Sequence, residues 1–125
     1  MKLDHVNISA PRTLLKKDKD FLCSVFDLEE GFRPNFSSFG YWLYSEEQPI
    51  FHLSESDNHF ASEKPFFLDH VAFQMKGLNT FLSSLEQLNV TYTKKYQAQI
   101  SLTQIFLKTP SGVNLEVGFK NESVD

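Results

Sequence analysis

Leu3-Asp4-His5-Val6 recurs letter for letter as Leu68-Asp69-His70-Val71, 65 residues further on, and this repeat decides how the chain is divided. Within 125 residues it implies two structural units of about 60 residues, each too small to bury a sheet face comfortably by itself. Both copies lead into the same order of elements. After the first, Val6, Ile8 and Ala10 alternate with polar residues up to Pro11, the pattern of a half-buried strand. Leu14, Leu15, Phe21, Leu22, Val25 and Phe26 then recur at helical spacing, and the charge run from Lys16 to Asp20 supplies the solvated face. Glu29 to Pro34, Phe39 to Tyr44 and Ile50 to Leu53 read as three further strands. After the second copy, Leu78, Phe81, Leu82, Leu85 and Leu88 mark a helix whose apolar stripe must cover a sheet. A strand is predicted to begin with Val90-Thr91-Tyr92-Thr93, and two more span Leu102 to Lys108 and Val113 to Val117, with the turn Thr109-Pro110-Ser111-Gly112 between the last two. Both halves are βαβββ. The predicted division is an N-terminal module 1–54, a polar linker 55–65 and a C-terminal module 66–120, together one domain of the α+β class.

Composition narrows the function classes. With 41% hydrophobic and 22% charged residues, five Gly and five Pro, the chain is neither collagen-like, nor low-complexity, nor disordered. A net charge of −4, with Arg12 and Arg33 the only arginines, argues against nucleic acid or an anionic membrane as partner, because both need clustered cations. No apolar run is long enough to span a membrane, and the start Met1-Lys2-Leu3-Asp4-His5 does not have the pattern of a signal peptide. Cys23 is the single cysteine; it cannot form an internal disulfide and falls in the apolar stripe of the first helix, so it reads as a small core residue in a cytoplasmic protein. Thirteen Phe suit a core or a pocket wall equally.

Overlaying the halves pairs His52 in the last strand of the first copy with Glu116 in the last strand of the second. His5, His52, His70 and Glu116 are then predicted at four equivalent strand positions around one point. Three imidazoles and a carboxylate suit a divalent transition metal, Zn, Ni, Fe, Mn or Co. Each histidine alone reads as well as a strand residue bonded to backbone; their equivalence points to a metal.

LDHV at 3–6, IFHL at 50–53, LDHVAF at 68–73 and QIFLKTPSGVNLEVGF at 104–119, in that order, resemble the vicinal oxygen chelate superfamily. Its members include glyoxalase I, bleomycin-resistance proteins, fosfomycin-resistance enzymes, methylmalonyl-CoA epimerase and extradiol dioxygenases. The resemblance implies two βαβββ modules forming a curved, incomplete mixed-sheet barrel. It also implies metal ligands at His5, His52, His70 and Glu116, and a small-molecule substrate whose adjacent oxygens chelate the metal on the way to an enolate-like intermediate. The implied chemistry is that of a lyase, an isomerase or a ring-cleaving dioxygenase, with Glu116 and His52 as catalytic groups and a homodimer as the working form. The two modules of one chain close on each other or swap across that dimer.

Departures from the subfamily patterns bear on the reaction. Bacterial glyoxalase I usually has Glu at the place of His52, so a hemithioacetal isomerase here needs His52 as its base. An extradiol dioxygenase would use His5, His70 and Glu116 on Fe(II), with His52 as an acid–base group. Fosfomycin-type thiol transferases resemble the His-His-Glu set, but a phosphonate calls for a basic cluster in which this chain is poor. The alternative from another class is a metal-free binding or sequestration protein of the bleomycin-resistance type.

Asn7 and Gln74 lie two and four positions beyond a ligand histidine, so strand alternation puts them on the ligand face as substrate contacts. Arg33 is read as a strand residue able to anchor a substrate carboxylate or to form a surface salt bridge. Trp42 alternates with Tyr44 and lines either pocket or core. Tyr96 and Gln104 complete the candidate substrate contacts. His59, in Asp57-Asn58-His59-Phe60, reads as a solvated loop residue, or else as a flap group. Nothing resembles a phosphate-cradling Gly loop or a nucleophile elbow.

Overall fold

Period-two alternation and then helical spacing are realised twice in the computed structural model, which describes residues 1–57 and 68–124. The chain divides into two compact units, 1–64 and 65–125. The first holds β1 (Val6–Ala10), α1 (Arg12–Phe26), β2 (Glu29–Gly31), β3 (Gly40–Ser45) and β4 (Gln48–Glu55). The second holds β5 (Val71–Gln74), α2 (Leu78–Gln87), β6 (Thr93–Gln97), a short 3-10 turn (Ala98–Ile100), β7 (Leu102–Lys108) and β8 (Asn114–Lys120). The fold class is therefore α+β, with one helix and one mixed four-stranded sheet in each unit. Apart from the end of β4, most of the expected linker, with His59, lies outside the described residues. Among the described residues no helix is long and apolar enough to cross a membrane.

In the first unit the strand order is β1-β4-β3-β2. β1 runs parallel to β4, from Val6↔Phe51 to Ala10↔Glu55, and the other neighbours are antiparallel. A parallel pair needs a long crossover, which α1, β2 and β3 supply. Ile8, Ala10, Leu43, Phe51 and Leu53 are buried on one face, and α1 brings Leu15, Leu22 and Val25 against β1, β3 and β4. Each such aliphatic side chain contributes about 1.5–3 kcal/mol when fully buried. Arg12 pins the start of α1 to the end of β4 through Glu55, Nε to Oε2 at 2.6 Å.

The second unit repeats the order as β5-β8-β7-β6, again with its first and last strands parallel. Leu78, Phe81, Leu82 and Leu85 of α2 are buried, as are Ile105, Leu107, Leu115, Val117 and Phe119, and the rings of Phe81 and Phe119 lie 5.5 Å apart. α2 has no capping side chain of its own. Gly77 enters the helix at φ +90°, and the Glu122 carboxylate, beyond β8, accepts from Gly77 N at 3.1 Å and Leu78 N at 2.8 Å. A carboxylate there satisfies orphan N–H groups and meets the positive end of the helix dipole. Thr103 Oγ1 holds the same residue by donating to Glu122 O.

Three sequence expectations are corrected. The strand expected to begin at Val90 begins instead at Thr93 and runs to Gln97, because the chain is still leaving α2: Asn89 is left-handed at φ 60° and Val90 N bonds back to Leu85 O. The strand expected over Glu29 to Pro34 ends at Gly31, since Pro34 has no N–H to donate and its carbonyl accepts from Phe36 N in a turn. Arg33 is consequently outside any strand. His5 and His70 sit one residue ahead of β1 and β5 rather than inside them.

Candidate functional site

Each unit carries a polar half-site on the sheet face opposite its helix. In the first, His52 of β4 stands between Asn7 of β1 and Trp42 of β3 in register, and His5, two residues before Asn7, shares their face. The rings of His5 and His52 are stacked, with centroids 3.7 Å apart and planes at 9°; Trp42 stacks on His52 at 4.0 Å and 12°. His52 is thus sandwiched between two rings. Its Nε2 is buried and has no hydrogen-bond partner among the described residues. Burial lowers the His52 pKa from its ordinary value, and the neighbouring His5 acts in the same direction. The result is a neutral imidazole with an unsatisfied buried nitrogen, a state that costs about 1–3 kcal/mol if nothing occupies it.

The surroundings of this stack are fixed by hydrogen bonds. His5 Nδ1 meets Asp4 Oδ2 at 2.7 Å, which lowers the Asp4 pKa. Asn7 is tied to Ser9 and Ser54, at 3.1 and 3.0 Å. Arg33 donates to Ser38 O at 2.8 Å and Ser38 Oγ at 3.3 Å, with its guanidinium 4.9 Å from the Phe36 ring. It packs where Gly40 leaves room: a Cβ on Gly40 would lie 2.9 Å from Arg33 Nη2. Phe36, 6.1 Å from Trp42, extends the aromatic row and was not singled out by sequence reasoning.

In the second unit Glu116 of β8 stands between Ala72 of β5 and Phe106 of β7. Its side chain is only 13% exposed, and Oε1 lies 3.5 Å from His70 Nε2. His70 Nδ1 meets Asp69 Oδ2 at 2.8 Å, and this bond, with the charge of Glu116 assisting, raises the His70 pKa. Gln104 Nε2 donates to Glu116 Oε2 at 3.2 Å, and Gln97 Nε2 donates to Gln104 Oε1 at 3.1 Å. Gln97 was missed from the sequence. Gln74 shares the face of Ala72 and is exposed. Tyr96 is not brought to that face: it alternates with Gln97, pairs with Thr103 and lines a groove of about 290 Å³ with Lys94, Ser123 and Val124.

The two half-sites match in register, Asn7↔His52 in one and Ala72↔Glu116 in the other, and in the aspartate that holds each first histidine. The structure brings His5 to His52 and His70 to Glu116 as pairs. Among the described residues no three His, Cys, Asp or Glu are gathered as a ready-made metal cage. Cys23 is half-buried, and burial pushes its thiol pKa up, away from nucleophilic reactivity.

No protein-family model and no curated protein matches the sequence. Solved structures do match. A protein from Bacillus anthracis described as glyoxalase family is 19% identical over 96% of this chain and 95% of its own, with a TM-score of 0.76. The FosX fosfomycin resistance protein of Listeria monocytogenes is 17% identical over 95% and 93%, with a TM-score of 0.73, and a mutant of it was crystallised with Mn(II) and dihydroxypropylphosphonic acid. A glyoxylase/bleomycin resistance protein/dioxygenase domain from Frankia sp. EAN1pec is 14% identical over 99% and 95%, with a TM-score of 0.77. Two βαβββ units of one strand order, and these likenesses over nearly the full length, give the chain a glyoxalase-like fold.

Proposed function

We propose that this chain is a metal-dependent enzyme of the glyoxalase or dioxygenase type, acting on a small molecule with adjacent oxygens, and that His5, His52, His70 and Glu116 hold a divalent transition metal. The observation that carries the reading is the buried, unpartnered Nε2 of His52, at the register position that Glu116 occupies in the other unit. The donor set fits such an ion. His5 and His70 each have Nδ1 engaged by the preceding aspartate, the arrangement by which carboxylates orient metal-ligating imidazoles. Mn(II) in the FosX mutant structure supports a divalent ion, and imidazole with carboxylate also suits Zn, Ni, Fe and Co. The His5 and His52 planes are nearly parallel, so one ring turns before both donate to one ion. The two pairs belong to one chain or to the two chains of a cytoplasmic homodimer.

When bound, the metal polarises the adjacent substrate oxygens. Glu116 and His52 are the acid–base groups, each moving a proton only while it is off the metal, and burial keeps His52 neutral. Asn7, Trp42, Gln74 and Gln104 contact the substrate from the ligand faces. Arg33, free of any ion pair among the described residues, receives a substrate carboxylate. The alternative, a metal-free binding protein, is favoured by the three-ring stack, a finished aromatic wall that needs no ion.

Metal analysis separates the two. Protein purified without chelator should contain one transition metal per site and lose thermal stability with EDTA, regaining about 2.7 kcal/mol at a hundredfold excess of metal over Kd. His52→Ala should abolish that gain. Protein that carries no metal and is not stabilised by adding any is a binding protein instead. Catechol oxygen uptake with Fe(II), against loss of methylglyoxal hemithioacetal with Ni or Zn, then separates dioxygenase from lyase.

A further inference from the structure

Glu116 is not free to turn. Its Oε2 accepts from Gln104 Nε2, while Gln104 Oε1 accepts from Gln97 Nε2. A primary amide has one donor end and one acceptor end, so the bond to Gln97 fixes the other. With Gln104 Oε1 turned to Gln97, only Nε2 remains for the carboxylate; reversed, two acceptors would face each other. The three residues stand on β6, β7 and β8 and are all partly buried, which limits exchange of their amides with water.

Among the described residues the first unit has no counterpart. Matching Glu116 to His52 by register matches Phe106 to Trp42 and Gln104 to Gly40, which has no side chain to offer. The Arg33 guanidinium fills that space and donates to Ser38, leaving His52 Nε2 without a partner. One unit therefore orients its ligand candidate with a chain of amides, and the other does not.

We infer that Gln97 and Gln104 form a directional amide relay that presents Glu116 to the metal through Oε1 alone, with Gln97 a positioning residue acting at one remove. The inference rests on the metal-site reading proposed above. Oε1 is the oxygen that lies beside His70 Nε2, so the relay selects the oxygen nearest the other ligand of that unit. A carboxylate tied at one oxygen offers a single lone-pair direction, whereas a released one swings or grips with both oxygens.

The relay makes a prediction opposite in sign to simple electrostatics. Gln97→Glu leaves the Gln104 amide between two acceptor-only carboxylates, so either orientation sets its oxygen against one of them and its hold on Glu116 Oε2 weakens. Added negative charge alone would tighten cation binding; a disordered amide loosens it. Metal-free protein is first examined by NMR of the side-chain amides, with Gln104→Leu identifying the Gln104 resonances. A Gln104 amide proton that shifts in both Gln97→Glu and Glu116→Gln supports the relay, and one that stays put in both overturns it, whatever the metal does. Co(II) titration then reads the consequence. Gln97→Glu and Gln104→Leu should bind about tenfold more weakly, with displaced visible bands, as for other partners that orient a ligand. Unchanged or tighter binding in Gln97→Glu overturns the inference. Wild-type protein that takes up no Co(II) refutes the metal site itself, and the amide coupling is then judged by NMR alone.

Discussion

Two strand glycines, Gly40 of β3 and Gly118 of β8, should respond to alanine in opposite ways. In Gly40→Ala the new methyl group runs into the Leu53 carbonyl oxygen and comes within 2.9 Å of Arg33 Nη2 and 3.0 Å of Arg33 Cζ. The carbonyl belongs to the backbone of β4, so it yields only if β3 and β4 part where Gly40 pairs with Ser54. Forcing atoms into a packed site costs about 1–3 kcal/mol, and displacing the guanidinium also endangers its two bonds to Ser38, at about 1 kcal/mol each. A total near 3 kcal/mol lowers Tm by roughly 10 °C in a chain of this size. In Gly118→Ala the methyl group meets Leu102 Cδ1 at 3.3 Å and Phe73 O at 3.8 Å, and the leucine can turn aside. Removing unfolded-state freedom returns about 0.4–1 kcal/mol, so Tm should move by less than roughly 4 °C. Thermal unfolding monitored by circular dichroism measures both. A Gly40→Ala protein as stable as wild type, or a Gly118→Ala protein that is the worse of the pair, refutes the register assigned to β3 on β4.

The cap on α2 is tested by Glu122→Ala, which removes the acceptor for Gly77 N and Leu78 N and should cost about 1 kcal/mol, with faster amide exchange in the first turn of α2; unchanged exchange there contradicts the capping role. The two perturbed histidines give opposite pH dependences in metal-free protein. His52, with its folded pKa lowered by burial, contributes stability that is complete above its unfolded pKa and lost as pH falls through the folded one. His70, with its folded pKa raised by Asp69, contributes stability below its unfolded pKa that is lost as pH rises through the folded one. His52→Asn should therefore flatten the fall of Tm on acidification, while His70→Asn should steepen it; superimposable Tm profiles for wild type and both variants would remove histidine linkage from the account.

The repeat made the architecture legible because strand alternation and helix periodicity are local, and both survive in each half at the same spacing. Matching His52 to Glu116 depended only on counting along the repeat, and the sheets place the two at one register. Boundaries were lost where backbone chemistry took precedence over side-chain pattern. Val90 to Thr93 has the composition of a strand, yet its first residues are spent closing α2 through Asn89, and Pro34 cuts short the strand that Phe32 and Arg33 suggested. Arg33 illustrates a second limit. Its seat depends on the absence of a side chain at Gly40, a relation between a turn and a strand that no periodicity expresses. Gln97 lay in plain view, since counting in twos along β6 puts it on the face opposite to Tyr96. Recognising it required knowing where β6 began, and that boundary was misread. The ring stack and the Glu122 cap join residues far apart in sequence, so neither leaves a local trace.

The parallel pairing of β1 with β4 also governs the timing of assembly. Among the described residues β1 pairs with β4 alone, and Ser9 meets Ser54 across a sequence separation of 45. Until β4 docks, β1 has no ladder to join, and the entropy of closing that long loop must be met before any hydrogen bond repays it. During synthesis the first sheet is completed only after the chain through Glu55 has emerged. The strand that completes it is the one that carries His52, so sheet closure and ring stacking fall in one kinetic step. The second unit repeats this order, with β8 arriving last and bringing Glu116. Each ligand face is thus a record of finished folding, and a nascent chain has neither pair to offer a metal before its own sheet is sealed.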